Sequence, residues 1–141
     1  APEQVKRLVP IEGWMSDDGS SMFSLAPDWF ATGIRQAAGE NGDGWRIPAP
    51  APELAGVTDP DDVTWLAAQL TDQPLRSFTD ATRLTGAIGS VEATAIIAPP
   101  ALLPFATWSQ RLGYDTVTLE GGHDLMVTSP VALATTLDEL A

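Results

Sequence analysis

Three apolar stretches of strand length stand out along the chain, with helical periodicity between and after them. Val5 to Ile11, with RLVPI at its centre, lies between charged residues and Gly13 and predicts a buried strand. Pro10 restricts it, because proline removes a ladder donor and is tolerated only near strand ends or on edges. Thr94 to Ala98, TAIIA, predicts a second strand stopped by Pro99 and Pro100, and Asp115 to Leu119, DTVTL, a third. Between these two, Pro104 to Leu112 carries Phe105, Trp108 and Leu112 at the spacing of a helix facing a sheet. A last helix starts near Pro130, with Ser129 as its cap and Leu133, Leu137 and Leu140 as its buried stripe. Strand, helix, strand, loop, helix makes a right-handed parallel unit the default.

From Trp14 to about Gly89 the pattern changes to short helices and proline-rich links. SDDGSS is turn chemistry, with Asp17 or Asp18 able to bond the following backbone. Pro27 to Ala38 predicts an amphipathic helix with Trp29, Phe30 and Ile34 on one face; GENGDG breaks it, and IPAPAPE is extended. A second helix begins at TDPDD, where Asp59 or Thr58 caps, Pro60 takes the first position and Val63, Leu66 and Leu70 repeat along one side. Asp72 and Pro74 end it, and a short piece around Thr82 to Ile88 leads back. About eighty residues separate the first strand from the next, far more than a connection needs. The expected organisation is a core strand segment over 1–13, a helical cap (lid) over 14–89 and a C-terminal core over 90–141. Parallel sheets need their edges paired or protected, so the Val5 to Ile11 strand is expected to meet a partner.

Composition narrows the function classes. At 141 residues and 44% hydrophobic, the chain is long enough for one domain with its own core. Five Trp favour a cavity or a partner surface. Seven Lys and Arg against nineteen Asp and Glu, a formal charge of −12, are the reverse of a phosphate-binding footprint, so neither nucleic acid nor an anionic membrane is expected as a partner. With no Cys and one His, a metal site has only carboxylates to draw on, and DPDD lacks the alternation of a calcium loop; no metal is expected. GENGDG follows a helix instead of a strand and is no dinucleotide fingerprint. No signal peptide is visible, which leans towards the cytoplasm; the opening APEQVKRLVP nevertheless reads as cut from a longer chain.

The candidate chemistry gathers at LEGGHDLMVTSP, residues 119–130, where the lone histidine, His123, follows a Gly-Gly turn just past a strand end. That edge is where α/β sheets bind ligands, and imidazole is the side chain suited to proton transfer near neutral pH. Glu12 falls just past the first strand, as a solvated loop residue or as part of a site. No serine has Gly two residues before and two after, so the strained G-x-S-x-G elbow is absent.

The run GGHDLMVTSPVALATTLDEL resembles the C-terminal end of α/β-hydrolase-fold enzymes of the esterase and hydroxynitrile-lyase-like group, and APEQVKRLVPIEGWMSDDGSSMF resembles the segment that leads into their cap. GDGWRIPAPAPELAGVTDPDDVTWLAAQLTDQPLRSF is similar to the cap itself. The resemblance implies an α/β fold, the C-terminal half of an α/β hydrolase, with parallel strands, flanking helices and a helical cap. It implies His123 as the triad base and Trp14, Phe23, Trp29, Trp45, Ile47 and Phe78 as substrate-lining candidates on the cap. The usual acid position falls in PPALLPF, which has no carboxylate; Glu12 is the substitute, and Asp124, on the histidine's own turn, is worse placed. The implied substrate is a small apolar carboxylic ester or related acyl or cyanohydrin compound, without cofactor or metal. The implied partner is the N-terminal half of the same fold, which would bring nucleophile and oxyanion hole, or a second copy at the Val5 to Ile11 edge. The other readings are a non-catalytic ligand-binding or interaction module and an inactive fragment.

Overall fold

The structure, a computed structural model, describes residues 4–141. Ala1, Pro2 and Glu3, which open the APEQVKRLVPIEGWMSDDGSSMF segment of the resemblance, lie outside the described residues. The chain divides into two compact units, one holding the start of the chain to Met15 together with Ala55–Val57 and Leu84–Ala141, the other Ser16–Leu54 and Thr58–Arg83.

The first unit is built on a parallel sheet of three strands: β1 (Arg7–Leu8), β4 (Glu92–Ile97) and β5 (Asp115–Thr118), in the order β1-β4-β5. Strand β4 is central because EATAII is buried continuously from Ala93, as a strand covered on both faces must be, whereas β5 buries only Val117 in part and forms an edge. Thr94 to Ile97 pair in register with Asp115 to Thr118, and Arg7 and Leu8 with Glu92 and Ala93. The expected Val5 to Ile11 strand is thus regular over only two residues, and pairing resumes at an Ile11–Ile96 bridge. Pro10 causes the interruption: it has no N–H to give, yet its carbonyl accepts from Ile96 N–H at 2.8 Å, so the chain stays in line with β4.

Helix α5 (Phe105–Arg111) connects β4 to β5 and buries Phe105 and Trp108. After the histidine loop come α6 (Leu125–Thr128) and α7 (Pro130–Leu140). Ile96, Ala98, Leu125 and Leu133 form the centre of the core, with Val9, Ile11, Leu119, Leu137 and Leu140 packed against it. The expected leucine stripe of α7 is therefore the face that packs on the core; Leu133 is buried and Leu137 and Leu140 partly so, and full burial of one such side chain stabilises by about 2 kcal/mol. Ser129 differs from expectation. It stands at the head of α7, but its side chain makes no cap bond and its hydroxyl donates to the Glu120 carbonyl at 2.6 Å, tying the helix start to the end of β5.

The second unit carries helices α1 (Met22–Leu25), α2 (Asp28–Asn41), α3 (Pro60–Gln69) and α4 (Arg76–Thr79) and a two-stranded antiparallel pair, β2 (Arg46–Ile47) with β3 (Gln73–Pro74). Ser21 and Ser24 close a reciprocal capping box on α1. Asp59 caps α3 by accepting from the Asp61 and Asp62 N–H groups, with Pro60 behind it. The small sheet has no signature in the hydrophobic pattern, since two-residue strands show no alternation. Arg46 accounts for it, bridging Asp43 at 2.5 Å and Asp72 at 2.7 Å, while Asp72 also accepts from Ala49 N–H at 3.2 Å.

Candidate active site

All three strands of the parallel sheet run in one direction, so the residues following their carboxyl ends gather at one edge. Glu12 follows β1, Ala98 follows β4, and His123 lies on the loop after β5. The pairing sets their heights: Glu12 N–H donates to Ile96 O at 2.9 Å and Leu119 N–H donates to Ile97 O at 2.9 Å.

Glu12 is almost fully buried, 2% exposed, and sits at φ +43, a left-handed conformation uncommon for a residue with a side chain. Its Oε1 accepts from Ala98 N–H at 2.6 Å. Its Oε2 is buried with no hydrogen-bond partner and faces His123 Nδ1 at 3.5 Å. That separation is an ion-pair distance, long for a formed hydrogen bond. The Glu12 side chain, as acceptor towards the imidazole, is the largest influence on His123 and raises its pKa above the ordinary 6.5; partial burial opposes the rise, and the charges of Asp124 and Glu12 add to it. With Nδ1 facing the carboxylate, Nε2 is the ring nitrogen left to exchange a proton with another group.

The imidazole is half-exposed and lies flat on the Phe105 ring, with centroids 5.5 Å apart and planes 12° from parallel. Phe105 is buried and itself packs edge-on against Trp108 at 5.5 Å. It is the residue at this site that sequence reading assigned only to the sheet-facing side of α5; its position at the start of that helix, just after the PPALLPF loop, was the available signal. The turn itself is held from within: Gly122 N–H donates to Thr128 Oγ1 at 3.1 Å, Thr128 Oγ1 donates to Asp124 O at 3.2 Å, and Asp124 N–H donates to Ala55 O at 3.3 Å. The loop between β4 and α5 carries no carboxylate, and the carboxylate that faces Nδ1 is that of Glu12.

The apolar candidates fall in both units. Trp14 belongs to the first unit, whereas Phe23, Trp29, Trp45, Ile47 and Phe78 belong to the second. Within the second unit Phe78 contacts Phe23 edge-on at 6.0 Å and stacks with Phe30 at 6.2 Å, and Trp29 meets Phe30 at 5.8 Å. The Arg35 guanidinium lies over Phe23 at 4.3 Å. Trp45 lies instead under Arg46, at 5.3 Å, and is 58% exposed, as is Trp29, while Ile47 is buried. Among the described residues no group of three or more acidic or imidazole side chains could hold a metal ion, and no helix is long and apolar enough to cross a membrane.

A parallel sheet with flanking helices and a histidine loop at its carboxyl edge is part of the α/β-hydrolase fold, and solved structures of that fold superpose on nearly the whole chain. An extracellular α/β-hydrolase from a Paenibacillus species, described as sharing structural and functional homology with tobacco salicylic acid binding protein 2, matches with a TM-score of 0.75 at 18% identity, over 98% of this chain and 62% of its own. Tomato methylketone synthase I bound to 2-tridecanone matches with a TM-score of 0.70 at 17% identity, over 99% of this chain and 62% of that enzyme. A variant of the tomato enzyme bound to beta-ketoheptanoate gives 0.68 at 19% identity, over 99% and 61%. The chain therefore spans about three fifths of the length of the structures it matches. No protein-family model and no curated protein sequence matches it.

Proposed function

We propose that the chain is the C-terminal part of a serine-type α/β hydrolase acting on a carboxylic ester or related small acyl substrate. In this reading His123 is the proton-transfer base and Glu12 the acid that orients it. The observation that carries the reading is the buried Glu12 Oε2, without a hydrogen-bond partner, facing Nδ1 of the lone histidine at 3.5 Å. A further support is the left-handed backbone of Glu12, since strained conformations collect at functional sites.

The chemistry follows from the roles. A serine hydroxyl supplied by the N-terminal part of the fold attacks the ester carbonyl carbon while Nε2 takes its proton. The tetrahedral intermediate collapses, and the departing alkoxide leaves with that proton. Water then repeats the sequence on the acyl-serine, releasing the acid and restoring the neutral imidazole. Glu12 holds the ring with its Nδ1–H inward and stabilises the imidazolium that forms at each proton transfer. Backbone N–H groups for the oxyanion belong to the same N-terminal part. The segment between β1 and β4 takes the role of a lid, and the aromatic group of Phe23, Trp29 and Phe78, with Trp14, Trp45 and Ile47, that of apolar substrate contacts. The partners of the chain in this reading are that N-terminal part and, at the β1 edge, any strand that completes the sheet.

The test is complementation. The chain is mixed or joined with an N-terminal α/β-hydrolase segment carrying the G-x-S-x-G serine, and turnover of a short-chain p-nitrophenyl ester is followed. His123→Ala is expected to lower kcat/KM by several powers of ten. An unchanged rate in that variant would remove the proposed role.

A further inference from the structure

The histidine turn has a second support that comes from a distant part of the chain. Ala55–Val57 groups with the first unit although the residues on both sides of it, through Leu54 and from Thr58, group with the second. Val57 is completely buried. The backbone of the segment meets the turn so closely that neither side has room for a side chain. A Cβ on Gly56 would stand 2.7 Å from Gly122 Cα, and one on Gly122 would stand 2.5 Å from Ala55 O and 2.8 Å from Gly56 Cα. Gly56 also has φ +83, a conformation in which other residues are strained. Beside this contact Asp124 N–H donates to Ala55 O at 3.3 Å. The residues clamped on the turn side, Gly122 and Asp124, are the two neighbours of His123.

We propose that Ala55–Val57 is a positioning strap for His123, and that the Gly56–Gly122 backbone contact holds the imidazole at its place opposite Glu12. The inference rests on the reading of His123 as the base, but its primary readout does not need catalysis. A strap of this kind sets the rate through the histidine: displacing the turn lengthens the distance from Nδ1 to Glu12 Oε2 and weakens the influence that raises the imidazole pKa.

One histidine in the chain makes the measurement unambiguous, because the imidazole Hε1 resonance has a single source. The 141-residue chain is titrated by NMR as wild type, Gly56→Ala, Gly122→Ala and Gly86→Ala. Gly86 is the control: it has φ +80 and nothing within 4 Å of an added Cβ, so it carries the backbone strain without the contact. Gly56→Ala and Gly122→Ala are expected to lower the His123 pKa by about half a unit or more, a roughly threefold change in the protonation equilibrium, and Gly86→Ala to leave it in place. In the complemented enzyme the same two variants should lower kcat about tenfold or more with KM little changed, as for a misplaced catalytic group. Equal titration in all four proteins, or the same shift in the control, overturns the strap. Should the two glycine variants fail to fold, Val57→Ala decides in their place. It loosens the strap without blocking the contact; a lowered His123 pKa supports the proposal and a wild-type value overturns it. Failure of His123→Ala to reduce turnover would instead strike the base role, leaving the titration result standing.

Discussion

The 3.5 Å between His123 Nδ1 and Glu12 Oε2 sets the sign of two pH effects. In the proposed role His123 must be neutral to accept a proton, so turnover by the complemented protein should rise with pH through a value above 6.5, the direction in which Glu12 moves the imidazole. Glu12→Gln keeps the shape and removes the charge; its rate profile and the His123 NMR titration should both move to lower pH, and coincident curves for the two proteins would disprove the pairing. Stability follows the opposite course. Because the folded-state pKa lies above the unfolded value, the contribution of protonated His123 to stability is fully present below pH 6.5 and is lost as pH rises through the folded pKa. Thermal melts across that window should show this loss in wild type and a smaller one in Glu12→Gln. A separate residue-scale expectation concerns Ser109, whose hydroxyl is fully buried in α5 with no hydrogen-bond partner. Ser109→Ala removes an unsatisfied polar group and should raise the unfolding free energy by about 1 kcal/mol, read in urea at constant m.

Elements show where local chemistry decides structure and where it does not. Helix α3 was legible because its start is chemically specified, with Asp59 as cap and Pro60 in the first position, and both act as expected. Asp59→Ala should therefore cost about 1 kcal/mol in denaturant unfolding, since it orphans the Asp61 and Asp62 N–H groups. Ser129 carries the same kind of signal but serves a different bond, because Glu120 O lies within reach of its hydroxyl across the loop. That exchange depends on where β5 ends, which no local pattern states. Strands β4 and β5 were legible from apolar runs, whereas β2 and β3 were not, since they depend on Arg46 reaching Asp72 twenty-six residues away. Helix α2 was foreseen as far as Ala38 and continues to Asn41, ending where Gly42 N–H donates to Ala38 O at 3.0 Å.

At the scale of the whole molecule, the parallel sheet of the described residues has β1 and β5 as its outer strands, and among those residues β1 pairs with β4 alone. An edge of this kind exposes unpaired N–H and C=O groups unless another strand covers them. Light scattering on the 141-residue chain is expected to show association beyond the monomer, reduced when an N-terminal α/β-hydrolase segment is supplied; a monomer at every concentration would contradict the edge reading. Tertiary structure also decided how the candidate site is assembled. By itself the sequence determined strands over Thr94 to Ala98 and Asp115 to Leu119, which the fold holds as Glu92–Ile97 and Asp115–Thr118, the helices that follow them and the place of the one histidine after a strand end, because hydrophobic periodicity and turn residues are local properties. It singled out Glu12 by its place just past the first strand and by the lack of a carboxylate in PPALLPF, but held nothing to say that its side chain faces Nδ1. Three other features depend on tertiary contacts: the meeting of Glu12 with His123, which parallel pairing brings together, the stacking of the imidazole on Phe105 and the seating of Gly56 against Gly122. Those contacts are distances between backbone segments, and a distance across a fold has no period along the chain from which to be read.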